Sequence, residues 1–367
     1  MSNYYNPVKI IKTENWLLEL TNSIENLDIS SLAIVTSPGN RKRLSLDLKF
    51  DPDSIFSDVG SNPTFDDCIN AVEFCQKNMF GGVIAIGGGS VMDLAKIVIA
   101  HLCLEKLDIY ELIEYKKEFP KTVPSIFLPT THGTASEVTM WGTVWNMKEE
   151  KKYSISHPDL YPSIAILDGN LTLSLPLDIS ITTVMDALSH SFESIWNKNA
   201  NHTSTDFAIS AICSILENGP ALKENPDDLE IRNNLLNAAT IAGLAFSNTT
   251  TAAAHSMSYP LTIHYGIPHG VASSISLIPL LEINGELIKE PLDRICDNNE
   301  MTYNELKQTI KAIPQGVVPY TLNEWGIPEN KLTKLAAESF TKGRMDNNIV
   351  DLNTDDVLKI LKGLYSD

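Results

Sequence analysis

Residues 83–96 read VIAIGGGSVMDLAK, and this stretch decides the fold. Four apolar, strand-prone residues run into three consecutive glycines, and an amphipathic helical pattern follows. Gly87, Gly88 and Gly89 let the backbone approach a pyrophosphate closely, while the first amides of the following helix point at the anion. Ser90 adds a hydroxyl donor. Asp93, expected in the first helical turn, reads equally as a dipole-favoured cap or as a functional carboxylate. The order differs from G-x-G-x-x-G, so the ordinary dinucleotide-fold inference does not transfer directly.

The same alternation extends outward. SLAIVT at 31–36 and SIFL at 125–128 are further strand-like runs, with amphipathic stretches at 66–78 and 91–104. Strands alternating with helices imply a parallel α/β sheet. After residue 173 long helical segments take over, at 204–215, 230–246 and 355–364. Turn formers cluster at 170–176, which divides the chain into an α/β domain at 1–173 and an all-α domain at 174–367, with a ligand cleft expected between them. A second polar loop, PTTHGTASEVT at 129–139, follows the third strand, and its small and hydroxyl side chains suit contact with a nucleotide.

In the helical half, VMDALSHSFESIW at 184–196 places Asp186 and His190 four apart, on one helix face. AHSMSYPLTIHYGIPHG at 254–270 carries His255 and His269, and Pro260 with the 266–270 stretch is expected to break the helix and return the chain. One carboxylate and three imidazoles suit a borderline divalent ion such as Fe²⁺ or Zn²⁺ and leave room for a substrate oxygen.

The 367 residues, 43% hydrophobic, suffice for two cored domains. A formal charge of -18 opposes nucleic-acid and anionic-membrane binding. No apolar run is read as membrane-spanning, and the start lacks signal-peptide character, so a soluble, cytoplasmic protein is expected. Five cysteines without a C-x-x-C pair argue against a disulfide framework.

With these segments read, the chain resembles the iron-containing (group III) alcohol dehydrogenases along nearly its whole length. The likeness rests on SDVGSNPT (57–64), GGGSVMDLAK (87–96), PTT and SEV (129–131, 136–138), MDALSH (185–190) and the 255–269 segment. The resemblance implies a dinucleotide-binding α/β domain followed by an all-α domain, as in dehydroquinate synthase-like proteins. It also implies a metal held by Asp186, His190, His255 and His269, and cofactor contacts at Gly88, Gly89, Ser90, Thr130, Thr131, Thr134 and Lys152. The implied reaction is reversible hydride transfer between NAD(P)H and a small aldehyde or alcohol, in a homo-oligomer with a dimer as first expectation. A dehydroquinate-synthase-like lyase without net redox change and a non-catalytic nucleotide sensor are the rival readings.

The chain departs from the family pattern at three places. Ser37 stands where many members carry a ribose-binding carboxylate, and Arg41, Lys42 and Arg43 follow, so NADPH is favoured with NADH as the alternative. Tyr259 occupies the place of a family histidine, which puts the family's proton relay in doubt: Tyr259 and His264 are the candidate side chains, and bound water or a cofactor ribose hydroxyl is the alternative donor. Arg344-Met-Asp-Asn-Asn348 replaces a frequent Asn-Pro-Arg and, with IWNKNAN at 195–201, resembles the phosphonoacetaldehyde reductase branch. Lys198 and Arg344 are then candidates to neutralise a phosphonate.

Overall fold

The computed structural model describes residues 4–78, 80–149 and 151–366. Its strands are β1 (Lys9–Lys12), β2 (Leu32–Thr36), β3 (Ile55–Phe56), β4 (Gly82–Gly87), β5 (Ser125–Pro129), β6 (Trp141–Asn146), β7 (Lys151–Ser156) and β8 (Ile164–Leu167). The helices of the first half are α1 (Trp16–Asn26), α2 (Pro38–Arg43), α3 (Phe65–Gln76), α4 (Gly89–Leu104) and α5 (Ile109–Glu114). Those of the second are α6 (Leu177–Ile195), α7 (His202–Glu224), α8 (Leu229–Thr249), α9 (Ala253–Tyr265), α10 (His269–Ser274), α11 (Leu277–Asn284), α12 (Lys289–Asn298), α13 (Tyr303–Ala312), α14 (Leu332–Glu338) and α15 (Thr354–Gly363). The chain forms two compact units. One holds Asn6–Thr131 and Ala135–Thr172; the other runs from Leu173 onward and includes Tyr4, Tyr5 and the turn His132–Thr134.

In the α/β unit, six strands pair in the order β1-β8-β5-β4-β2-β3, all parallel. Alternate residues of β4 serve opposite faces: Val83 and Ala85 pack with Leu94, Ile97 and Val98 of α4, whereas Ile84 and Ile86 pack with Leu20 of α1 and Leu171. Both faces are covered, so the strand reads as an unbroken apolar run. The antiparallel β6–β7 hairpin and the edge strands β1 and β3, like the interior strand β8, lie outside the three strand-like runs seen in the sequence. Edge and hairpin strands are short or half-exposed and carry weak apolar signals.

Buried side chains tie this hairpin to α4. Lys96 is fully buried, and its Nζ donates to Ser136 Oγ (2.7 Å), Thr139 Oγ1 (3.1 Å) and the Trp141 carbonyl (2.7 Å). Asp93 accepts from Ser136 Oγ (2.8 Å) and from Thr143 N–H (2.9 Å). Because α4 begins at Gly89, Asp93 falls beyond the first turn and is no cap, contrary to the sequence expectation. Its carboxylate joins two elements instead.

In the helical unit, α6, α7 and α8 pack against one another around one apolar core that includes Met185, Leu188, Ile212 and Leu235. Pro260 lies inside α9 and does not end it, another departure from the sequence reading. A proline removes one N–H donor, and packing of the buried residues around Met257 and Leu261 outweighs that loss. The helix stops at Gly266, whose φ of +65° is the left-handed conformation glycine adopts without strain. The run His269–Asn298 contains an 18-residue window apolar enough to cross a membrane by length and composition, which the sequence reading overlooked. In the fold 61% of that window is buried, and the run is divided among α10, α11 and α12.

Candidate metal centre and nucleotide-binding edge

The nucleotide candidates gather at the carboxyl ends of three adjacent strands of the α/β unit. Ser37 follows β2, Gly88 and Ser90 follow β4, and Thr130 and Thr131 follow β5. The carboxyl edge of a parallel sheet is where such folds bind ligands. Thr130 N–H donates to the Gly87 carbonyl at 3.0 Å, which holds the two loops together. A Cβ on Gly88 would meet the Thr131 side chain at 2.9 Å, so a larger residue would have to displace that side chain. Gly88 caps α4 without a side-chain bond, which leaves the helix's first amides available to an anion. Ser90 Oγ accepts from Asn62 N–H at 3.1 Å and keeps its own proton to donate.

The remaining cofactor candidates are less uniform. Ser37 caps α2 by accepting from Asn40 N–H at 3.2 Å. Of the cations beside it, Arg41 is bound to Asp47 at 2.5 Å, and Arg43 donates to Asn40 Oδ1. Lys152 lies on β7 with its Nζ 5.6 Å from the Trp145 ring. Thr134 belongs to the helical unit with His132 and Gly133.

In the helical unit, ligand atoms of Asp186, His255 and His269 all lie within 4.8 Å of one another. α6 supplies Asp186, the start of α9 supplies His255, and His269 opens α10. A Cβ on Gly270 would sit 2.0 Å from the Thr182 carbonyl and 3.1 Å from Asp186 Cβ, so glycine lets α10 seat directly on α6. His190 lies beside this group and outside its radius, stacked on His255 at 4.5 Å and on Phe246 at 4.0 Å between ring centroids. Gly133 is pressed against α6, where a Cβ would meet the Thr183 carbonyl at 2.7 Å.

Two buried ring nitrogens, His190 Nδ1 and His255 Nε2, have no hydrogen-bond partner. Orphaned polar atoms are costly in a protein interior, and lone pairs beside a carboxylate are what a divalent cation satisfies. The residues therefore fit the implied ion. Burial works against charge on Asp186, yet His190 and His269 hold its carboxyl well below the usual range. Burial, opposed by Asp186, pushes His190 down to about 4, so its imidazole is neutral and able to coordinate. His269 is the most open member, with 28% of its side chain exposed, and gives the group a solvent-facing side.

Three contacts hold the donors in place. Ser273 Oγ donates to Asp186 Oδ1 at 2.8 Å. Glu193, fully buried, faces His255 Nδ1 at 2.6 Å and accepts from His255 N–H at 3.1 Å. The sequence reading missed Glu193, although its place three residues after His190 on the same helix face was a usable signal.

Other candidates stand apart. His264 is paired with Glu338 at 2.8 Å and lies nine residues beyond His255, about 13 Å along the helix. That separation removes it from the donor group. Tyr259, one turn after His255, is half-buried on the same face. Lys198 gives its charge to Asp351 at 2.5 Å and also bonds the Asp346 carbonyl. Arg344 is half-buried, bonds the Gly343 carbonyl, and among the described residues pairs with no carboxylate.

A parallel sheet with anion-ready turns and a buried donor set suited to a divalent ion are the features of a nucleotide- and metal-binding enzyme. The family profile for iron-containing alcohol dehydrogenase matches residues 7–169, and that for the Fe-containing alcohol dehydrogenase family, C-terminal, matches residues 180–365. Long-chain-alcohol dehydrogenase 1 of Geobacillus thermodenitrificans (strain NG80-2) is 30% identical over 326 residues, covering 85% of this chain and 80% of its own. NADPH-dependent butanol dehydrogenase of Clostridium saccharobutylicum is 29% identical, covering 84% and 82%. Among solved structures, sulfoacetaldehyde reductase from Bifidobacterium kashiwanohense in complex with NAD⁺ superimposes with a TM-score of 0.87 at 29% identity, covering 100% of this chain and 99% of that one. The chain belongs to the iron-containing alcohol dehydrogenase family. It is an NAD(P)-dependent oxidoreductase of alcohols and aldehydes, and neither the lyase nor the sensor reading is favoured.

Proposed function

We propose that this protein reduces a small aldehyde carrying an anionic group, phosphonoacetaldehyde being the first candidate, with NADPH preferred over NADH and Fe²⁺ or Zn²⁺ held by Asp186, His190, His255 and His269. The observation that carries the metal reading is the donor set within 4.8 Å together with the unpartnered Nε2 of His255. When bound, the ion supplies Lewis-acid polarisation of the carbonyl oxygen. Residues 1–173 hold the nucleotide, and residues 174–367 hold the metal and substrate.

The chain's own groups account for the rest. Gly87, Gly88, Gly89, Ser90, Thr130, Thr131, Thr134 and Lys152 bind and orient the cofactor. The α4 N-terminus accommodates its pyrophosphate. Lys42 and Arg43 beside Ser37, where no carboxylate repels a 2′-phosphate, support NADPH. Tyr259 is the side chain to deliver a proton to the alcohol oxygen. Arg344 attracts the substrate anion, since Lys198 is already neutralised by Asp351. The sulfoacetaldehyde reductase neighbour, named for an anionic aldehyde, supports this substrate class. A cytoplasmic homodimer completes the reading; reducing conditions there keep the five free cysteines as thiols.

An aldehyde screen followed at the nicotinamide absorbance, with Fe²⁺ or Zn²⁺ supplied, tests the proposal. Anionic aldehydes should exceed butyraldehyde in kcat/KM. Equal turnover of phosphonoacetaldehyde and butyraldehyde would remove the anionic-substrate assignment.

A further inference from the structure

We propose that Glu193 is a positioning residue that locks His255 in the one tautomer able to bind the metal, an inference that rests on the metal reading above. Glu193 lies three residues after His190 and seven after Asp186 on α6, so all three project from one helix face. It is fully buried, with Oε1 accepting from His255 N–H at 3.1 Å and Oε2 facing Nδ1 at 2.6 Å.

α9 explains why a carboxylate stands there. The helix starts in an alanine run, with Ala252 as its cap and no side-chain capping bond. Its first amides are unsatisfied donors, and the helix end carries partial positive charge. Glu193 supplies from α6 the acceptor that α9 lacks.

An ionised carboxylate only accepts hydrogen bonds. The ring proton kept on metal binding is then the one on Nδ1 facing Oε2, and the donating lone pair is that of Nε2. That atom is the buried nitrogen without a partner that stands 3.5 Å from Asp186 Oδ1. The carboxylate also raises the donor strength of the imidazole, as carboxylate–histidine pairs do in metal sites.

Glutamine at 193 conserves volume but offers one acceptor where two are needed. With its carbonyl turned to the α9 amide, its NH₂ faces Nδ1 and drives the ring proton to Nε2, which blocks coordination. Glu193→Gln should weaken Zn²⁺ affinity about 10–100-fold in competition with a chromophoric chelator. In a His255→Ala background the same change should cost nothing more. A Zn²⁺ affinity equal to wild type, or an undiminished loss in the His255→Ala background, would overturn the inference while leaving the metal reading intact. Should the variant fail to fold, ¹⁵N-histidine NMR of the Zn²⁺-loaded wild type decides: a proton on Nδ1 of His255 is expected, and metal at Nδ1 refutes it. A wild-type protein that binds no Zn²⁺ brings down the metal reading itself and this inference with it.

Discussion

Nε2 of His255 lies 3.5 Å from Oδ1 of Asp186 without forming a hydrogen bond. A charge-assisted bond would close to about 2.7–2.9 Å. Two ligands each about 2.0–2.1 Å from one tetrahedral ion stand roughly 3.3 Å apart, which is the separation these atoms approach. Asp186→Ala and His269→Ala should each reduce bound metal below one ion per chain. Losing several kcal/mol of Lewis-acid stabilisation should lower kcat/KM for aldehyde roughly 100-fold or more. Metal analysis alongside the nicotinamide assay checks this, and activity equal to wild type in metal-free protein would exclude the Lewis-acid role.

Gly270 holds α10 against α6 through backbone contact. A methyl group there would press on the Thr182 carbonyl, at 2.0 Å, which cannot swing aside as a flexible side chain would. Gly270→Ala should destabilise the protein by about 1–3 kcal/mol and displace the adjacent His269. Thermal unfolding should show a lower Tm, and Zn²⁺ titration a weaker Kd. A variant unchanged in both would mean that α10 can shift without cost.

Burial pushes the Lys96 ammonium down to about 8, with Asp93 and Glu137 opposing that shift. The unfolded chain titrates near the ordinary lysine value of 10.5. Between about pH 8 and 10.5 the unfolded state holds a proton that the folded state has released, so this group's contribution to stability rises with pH. Relative to Lys96→Met, the wild type should gain on the order of 3 kcal/mol across that window. Denaturant unfolding of both proteins at pH 7.5 and pH 10 measures the difference; a constant gap would show that Lys96 titrates normally.

Ser37 caps α2, and aspartate is an equally good cap, so Ser37→Asp tests cofactor choice without disturbing the helix. A carboxylate there should repel a 2′-phosphate and accept the ribose hydroxyl of NADH. The ratio of kcat/KM for NADPH over NADH should fall at least about tenfold, a change of about 1.4 kcal/mol. An unchanged ratio would place the adenosine ribose elsewhere.

Arg344→Ala should reduce kcat/KM for an anionic aldehyde about 10–100-fold, the loss of a charge-assisted contact of about 1.5–3 kcal/mol, and leave butyraldehyde nearly unaffected. Lys198→Ala should affect both substrates equally, since Asp351 already occupies that ammonium. Steady-state kinetics of the two variants with both aldehydes separates these outcomes.

What the linear chain determined was local. The run at 83–96 specified strand, turn and helix because apolar periodicity and glycine backbone freedom act over a few residues, and the spacing of Asp186 and His190 put both on one face. Helix ends were less legible: Gly266 stopped α9, whereas Pro260 did not, because packing against the core outweighed one missing donor. Tertiary structure alone decided which distant partners meet. Glu193 and His255 are separated by 62 residues, and their contact depends on how α9 seats on α6. The same packing spent Lys198 on Asp351 and His264 on Glu338 while leaving Arg344 without a carboxylate partner among the described residues. Charge pairing of this kind depends on distances across the fold, which residue order does not encode locally.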